Sequence, residues 1–107
     1  MMNVKQINVQ TAKEWLDNDE AILIDVREPA EHAFQKIAGS ILHPVGTISP
    51  NLIENTDKKI LVYCQKGIRS FNACLILLSG SPKLSIYNIA GGIEEWQQSG
   101  LPVENGL

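Results

Sequence analysis

Long apolar runs are missing from this chain, and so are most of the residues from which cross-links and metal sites are built. Of its 107 residues only two are cysteine, Cys64 and Cys74, and only two are histidine, His32 and His43. Two thiols make no disulfide framework, and a reducing compartment keeps them as thiols in any case. With no Cys-x-x-Cys pair and no clustered histidines, a structural zinc site has no support. Each cysteine is therefore a packing residue or a nucleophile. The longest apolar stretch, around Leu75 to Leu78, is far too short to span a bilayer. Met1 to Trp15 mixes Asn3, Lys5, Gln6, Asn8 and Gln10 into its apolar residues, so it lacks the core of a secretory signal. The expected location is the cytoplasm, with no membrane partner. Basic excess is also absent: 9 Lys and Arg against 12 Asp and Glu leave a net charge of -3. That argues against nucleic acid as a partner and requires any basic site to be local. There is no internal repeat, low-complexity tract or charge run. Trp15, Tyr87 and Trp96 are isolated aromatics, read as core or helix–sheet packing.

What is present is enough apolar content, 44%, for one buried core, and residues 1–107 are read as one domain. Short β-type runs alternate with helix-type segments, punctuated by Gly, Pro, Asn and Ser. Gln6 to Val9 reads as an edge strand. Asn8 or Thr11 caps a helix through Leu16, with Thr11-x-x-Glu14 resembling a capping box. Ile22-Leu23-Ile24 is a strand buried on both faces and ending in Asp25, and Pro29 blocks its continuation. A helical turn over Glu31 to Gln35 and a strand at Ile41-Leu42 follow, then a short helix entered at Ser49-Pro50 with Ser49 as N-cap. Lys59 to Tyr63 forms a second buried strand, with the apolar run Ile60-Leu61-Val62-Tyr63, which delivers Cys64 at its end. Ser70 to Leu78 reads as a helix nearly encircled by core, stopped by Gly80 and Pro82. Leu84 to Tyr87 makes a further strand. The Gly91-Gly92 pair makes a turn, and Ile93 to Gln98 a last helix ended by Gly100 and Pro102. This alternation predicts an α/β fold with a mostly parallel central sheet of about five strands and helices on both faces. Ligands in such folds sit at the carboxyl ends of the strands.

The segment Cys64-Gln65-Lys66-Gly67-Ile68-Arg69-Ser70 joins a buried strand to an apolar helix, which aims backbone N–H groups at one point above the Cys64 sulfur. A helix N-terminus attracts anions and stabilises a thiolate, and Gly67 permits the turn. Such surroundings lower a cysteine from about 8.5 into roughly the 3.5–7.5 range, so Cys64 is expected to be an ionised nucleophile at neutral pH. Cys74, mid-helix among apolar residues, is read as packing. Lys66 reads equally as a solvated loop lysine or as a point charge steering an anionic donor. Arg69 points either inward to the anion or outward to a carboxylate such as Asp25 or Glu28, the pairing being favoured. His32 and His43 show no spacing that marks a base or a ligand and are read as surface or turn residues.

At this loop the sequence resembles the rhodanese family: Cys64-x-x-Gly67-x-Arg69-Ser70 is similar to the active-site loop of single-domain rhodaneses. Leu23-Ile24-Asp25-Val26-Arg27-Glu28-Pro29 resembles the family's segment after an early strand, and Gly39-Ser40-Ile41 its Gly-Ala-Ile. Gly91-Gly92-x-x-x-Trp96-x-x-x-Gly100-Leu101-Pro102-Val103 resembles its carboxyl-terminal signature. The matches run from about Val4 to Val103. One departure stands out: Gln35-Lys36-Ile37-Ala38-Gly39 replaces the frequent Gly-His-Ile-Pro-Gly.

The resemblance implies a rhodanese-like fold and a sulfurtransferase acting by double displacement. Cys64 takes the outer sulfur of thiosulfate or a related anion, stores it as a persulfide and passes it to a thiol, cyanide or protein acceptor. Gln65, Lys66, Gly67, Ile68, Arg69 and Ser70 then form the substrate loop, Asp25 and Arg27 are supporting residues, and no metal or organic cofactor is needed. A basic third loop position goes with thiosulfate rather than mercaptopyruvate in the family, and Lys66 occupies it. Two other readings compete. One is a phosphatase or arsenate reductase of related fold, which places five residues between Cys and Arg where this chain has four. The other is a sulfur-carrier or interaction module, of which the interaction type usually lacks the cysteine.

Overall fold

The computed structural model describes residues 4–53 and 56–106. In chain order the elements are β1 (Lys5–Ile7), α1 (Val9–Asp17), β2 (Ala21–Asp25), α2 (Pro29–Phe34), β3 (Gln35–Lys36) and β4 (Ile41–Leu42). A 3-10 turn (Pro50–Leu52) follows, then β5 (Lys59–Tyr63), α3 (Ile68–Gly80), β6 (Ile86–Ile89), α4 (Gly92–Gln98) and β7 (Glu104–Asn105). Five strands form one parallel sheet in the order β1-β6-β5-β2-β4. β5 is its middle strand, so the residue after Tyr63 emerges at the centre of the sheet's carboxyl edge. The expected α/β architecture is the observed one.

The period-2 alternation of β5 divides the core. Leu61 and Tyr63 face α1 and α4 and join Val9, Ala12, Ile93 and Trp96. Ile60, Val62 and Cys64 face α3 and join Ala73, Cys74 and Leu77. Helices thus cover both faces, and the continuous apolar runs of β2 and β5 are the consequence of that double burial. Trp96 is buried, with its indole N–H donated to the Pro102 carbonyl at 2.8 Å, and Trp15 meets Tyr87 edge-on at 4.9 Å.

Several local readings shift. Asn8 is the N-cap of α1, accepting the Thr11 N–H at 2.8 Å, so Thr11 lies inside the helix and forms no capping box with Glu14. β1 accordingly ends at Ile7, and Val9 already belongs to α1. α3 begins two residues early, at Ile68, because Gly67 at φ 102° serves as its N-cap. α3 also continues through Gly80, where a side chain would run into Pro50. Core does not encircle this helix. Ser70, Ala73, Cys74 and Leu77 are buried against the sheet, while Ile68 stands 73% exposed and Phe71 40%. β6 runs from Ile86 to Ile89 rather than from Leu84 to Tyr87, and it includes Asn88, polar yet buried. Ser49 holds the N-cap position of the 3-10 turn, and its hydroxyl bonds the Asn51 side chain.

The unusual Gln35-Lys36 stretch is β3, paired antiparallel with β7, an element absent from the sequence reading. Among the described residues no helix is long and apolar enough to cross a membrane, and no cluster of His, Cys, Asp and Glu is suited to a metal ion.

Candidate active site

The site starts at Tyr63, the last residue of β5, after which the chain must turn into α3. Gly67 supplies the left-handed residue of that turn, and the first amides of α3 are left without intrahelical acceptors. They close on the Cys64 sulfur. Sγ accepts the Gly67 N–H at 3.1 Å, the Ser70 N–H at 3.3 Å, and sits 3.3 Å from the Ser70 hydroxyl.

Burial alone pushes the thiol up, but the Ser70 hydroxyl and the amides of Ser70, Gly67 and Lys66 outweigh it and hold Cys64 below the ordinary thiol value. Cys74, 0% exposed and without such donors, is pushed up by burial, and secondarily by Cys64, to about 12. The two cysteines are thus opposites: one is surrounded by donors that favour its thiolate, the other is a buried packing thiol without them. Above Cys64 lies an open depression of about 290 Å³ lined by Cys64, Gln65, Lys66, Ile68 and Arg69. A larger hollow of about 340 Å³ lies at the β2–β4 edge among Ile22, Ile24, Ile41, His43 and their neighbours. Neither cysteine is among its lining residues.

Behind the loop, β2 pairs Asp25 with Tyr63 in register. Asp25 is fully buried and accepts Arg27 Nε at 3.0 Å, Arg27 Nη2 at 2.8 Å, the Arg27 N–H at 3.0 Å and the Tyr63 hydroxyl at 3.1 Å. Burial works against its charge, yet the bonds from Arg27 and His32 hold its carboxyl below the usual range. Arg27, also buried, donates to the Gln35 carbonyl at 2.6 Å. Tyr63 in turn accepts the Ile37 N–H, which ties the departing Gln35–Gly39 segment to the residue preceding Cys64.

The favoured pairing of Arg69 with a carboxylate is observed, with a different partner from those named, and the reading of His32 is corrected. Asp25 is already occupied by Arg27, and Glu28 is not the acceptor, so Arg69 pairs with Glu31 in a two-pronged contact at 2.7 and 3.0 Å. His32 is no surface residue: its Nδ1 lies 2.9 Å from Asp25 and its side chain is 17% exposed. Neither partner was visible in the sequence, because α2 folds back over the loop only in three dimensions.

The rhodanese-like domain family profile matches residues 8–99. This chain belongs to the rhodanese-like domain family. It is 31% identical over 102 residues to a sulfurtransferase of Allochromatium vinosum, covering 94% of each chain. It is 28% identical over 102 residues to the thiosulfate sulfurtransferase GlpE of Glaesserella parasuis, again covering 94% of each. The crystal structure of a rhodanese-related protein from Thermoplasma volcanium superposes with a TM-score of 0.82 at 34% identity, covering 94% of this chain and 97% of that one.

In this rhodanese-like domain one loop contact escaped the sequence reading altogether. Asn88, 2% exposed on β6, donates to the Gly67 carbonyl at 3.1 Å and to Gln6 Oε1 at 3.1 Å, pinning the left-handed residue of the loop to the sheet. A polar residue inside an otherwise apolar strand was the available signal.

From the other side α4 braces the loop. The Ile93 and Glu94 N–H groups donate to the carbonyls of Cys64 and Gln65 at 3.0 and 3.1 Å. Such close approach requires a glycine. At Gly92, φ 62°, a Cβ would collide with the Cys64 carbonyl oxygen and stand 2.6 Å from that of Gln65. Gly92→Ala is expected to displace the loop and lower turnover by about 10²-fold, the usual effect of misplacing a reacting group by about 1 Å. It should cost about 1–3 kcal/mol of stability. Steady-state kinetics beside a urea titration checks both.

Ser70→Ala removes the hydroxyl bond to Sγ while leaving the Ser70 N–H in place. The pH at which Cys64 becomes reactive to iodoacetamide should rise, and the alkylation rate at pH 7 should fall several-fold. An unchanged pH profile would remove Ser70 from the stabilisation of the thiolate.

Proposed function

We propose that this rhodanese-like domain is a sulfurtransferase that moves sulfane sulfur from thiosulfate, or a related anionic donor, to a thiophilic acceptor through a persulfide on Cys64. One observation carries the reading: the Cys64 sulfur receives the Gly67 and Ser70 amides and the Ser70 hydroxyl at the base of an open depression. The thiosulfate sulfurtransferase GlpE among its relatives supports the choice of donor.

In the first step the Cys64 thiolate attacks the outer sulfur of thiosulfate. A new S–S bond forms, the old one breaks, and its electron pair leaves with sulfite, so the charge of the persulfide equals that of the thiolate consumed. In the second, a thiolate or cyanide attacks the terminal sulfur, and the Cys64 thiolate is regenerated. No proton moves in either step when the thiol is already ionised, so no general base is required, and no metal or organic cofactor enters the scheme. The loop amides stabilise anionic sulfur before and after transfer. Cys64 is only 1% exposed, but a persulfide extends outward by about 2 Å, which carries the transferable sulfur towards the depression and the acceptor. The four-residue spacing from Cys64 to Arg69 favours a single sulfur over the larger tetrahedral oxyanion of a phosphatase. A reducing cytoplasm would keep the site in its thiol form.

Intact-mass spectrometry of the reduced protein before and after brief exposure to thiosulfate tests this directly. The expected result is a gain of one sulfur atom, discharged by cyanide or a thiol. No adduct on the folded protein with either thiosulfate or polysulfide would overturn the reading in favour of a phosphatase or an interaction module.

A further inference from the structure

Arg69 is a cation on the rim near Cys64, and a carboxylate offsets its charge. It lines the depression from the first turn of α3, and each of its terminal nitrogens donates to one oxygen of Glu31, at 2.7 and 3.0 Å. Glu31 does not swing freely, because its Oε1 also accepts the Glu28 N–H at 3.0 Å in the first turn of α2. The carboxylate is held in place, its pKa drawn down to about 2, chiefly by Arg69. Lys66, the other cation of the rim, has no carboxylate partner among the described residues.

We propose that Glu31 is a specificity-determining residue of the Cys64 site: by offsetting the charge of Arg69 it leaves Lys66 as the uncompensated cation of the rim, and so reduces the advantage that a dianion such as thiosulfate holds over singly charged sulfane donors. This rests on the sulfurtransferase reading and extends its donor class from thiosulfate to singly charged thiosulfonates and organic persulfides. A unit charge acts on a dianion with twice the free energy it exerts on a monoanion, so whatever factor Glu31 costs a monoanion is squared for thiosulfate. A second feature points the same way. Ile68 stands 73% exposed beside the depression and presents an apolar wall. The organic part of a thiosulfonate or persulfide covers that wall, and thiosulfate has no such part.

The test compares cyanide-dependent sulfur transfer from thiosulfate and from methanethiosulfonate, which releases methanesulfinate where thiosulfate releases sulfite. The proteins are the wild type, Glu31→Gln, Arg69→Gln and the double variant. In Glu31→Gln the amide keeps an oxygen for the Glu28 N–H, and the double variant restores the wild-type net charge of the mouth. Wild type should use both donors. Glu31→Gln should lower KM for thiosulfate about fourfold and for methanethiosulfonate about twofold, with the change in KM rather than kcat. Arg69→Gln should move both KM values the other way, the double variant should return their ratio to wild type, and salt should compress all these differences. Arg69→Gln and the salt series on the wild type decide the matter if Glu31→Gln does not fold.

A donor ratio unchanged in Glu31→Gln and in Arg69→Gln, or a double variant that behaves like Glu31→Gln, overturns the proposal. So does an equal loss of kcat for both donors, which would make the pair purely structural. These outcomes leave the sulfurtransferase reading standing, whereas a wild type that forms no persulfide with either donor overturns both.

Discussion

Cys64→Ser is expected to abolish the sulfur adduct and to lower cyanide-dependent transfer by at least about 10³-fold while the domain stays folded. The two halves of this expectation have separate causes. A serine oxygen offers the Gly67 and Ser70 donors an acceptor in the same place, so the loop retains its partners and the small volume change in a 1% exposed position is tolerated. Chemistry fails because an alcohol in the same surroundings is far less acidic and less nucleophilic than a thiol whose pKa those donors lower, and oxygen has no sulfur-storing equivalent of the persulfide. Intact mass after thiosulfate, with a thermal melt of the same sample, reads both halves. A serine variant that still gained sulfur would move the nucleophile elsewhere, and Cys74 is poorly placed to be it, being fully buried and pushed up to about 12.

Asp25→Ala is expected to destabilise the domain by about 3–5 kcal/mol, the range for removing one partner of a buried ion pair. A protein of this size has only about 5–15 kcal/mol in total. The cost arises from what is left behind. Arg27, 2% exposed, keeps only the Gln35 carbonyl at 2.6 Å, and the Tyr63 hydroxyl and His32 lose their common acceptor. The urea midpoint should fall with little change in slope.

The same carboxylate gives the wild type an acid limit. Its folded pKa is depressed, so its stabilisation is fully present above the unfolded value of about 3.9 and is lost as pH falls through the depressed one. Glu31, lowered from 4.5 to about 2, adds a loss in the same direction over that interval, reduced by solvent screening because the pair is about one-third exposed. Asp25→Ala should therefore flatten the stability–pH curve below about pH 4. A variant that unfolds within about 1 kcal/mol of wild type yet loses activity would make Asp25 part of the catalytic machinery rather than its support.

The strands that matter were legible because their apolar runs are continuous, a pattern imposed by burial on both faces. Ile60 to Tyr63 is such a run, and it places Cys64 at a strand end without further information. Gly67 was legible for a similar reason, since a strand-to-helix turn needs a left-handed residue there. Edges were less legible. β3 and β7 are two residues each and carry no period, and their pairing joins Gln35 to Asn105 across most of the chain. Thr11 and Asn8 both suit an N-cap, and the choice fell to whichever side chain the chain entry aimed at the free amides.

Local sequence, then, determined the alternating α/β plan, the family resemblance, and the loop that sets a cysteine before a helix N-terminus. All of these depend on residues within a few positions of one another. Tertiary structure alone decided which charge Arg69 meets, that His32 and Tyr63 share Asp25, that Asn88 pins Gly67, and that Gly92 lets α4 reach the Cys64 carbonyl. Each of those joins segments distant in the chain, through contacts only a few ångströms long whose partners are chosen by how α2, β6 and α4 pack around one strand end.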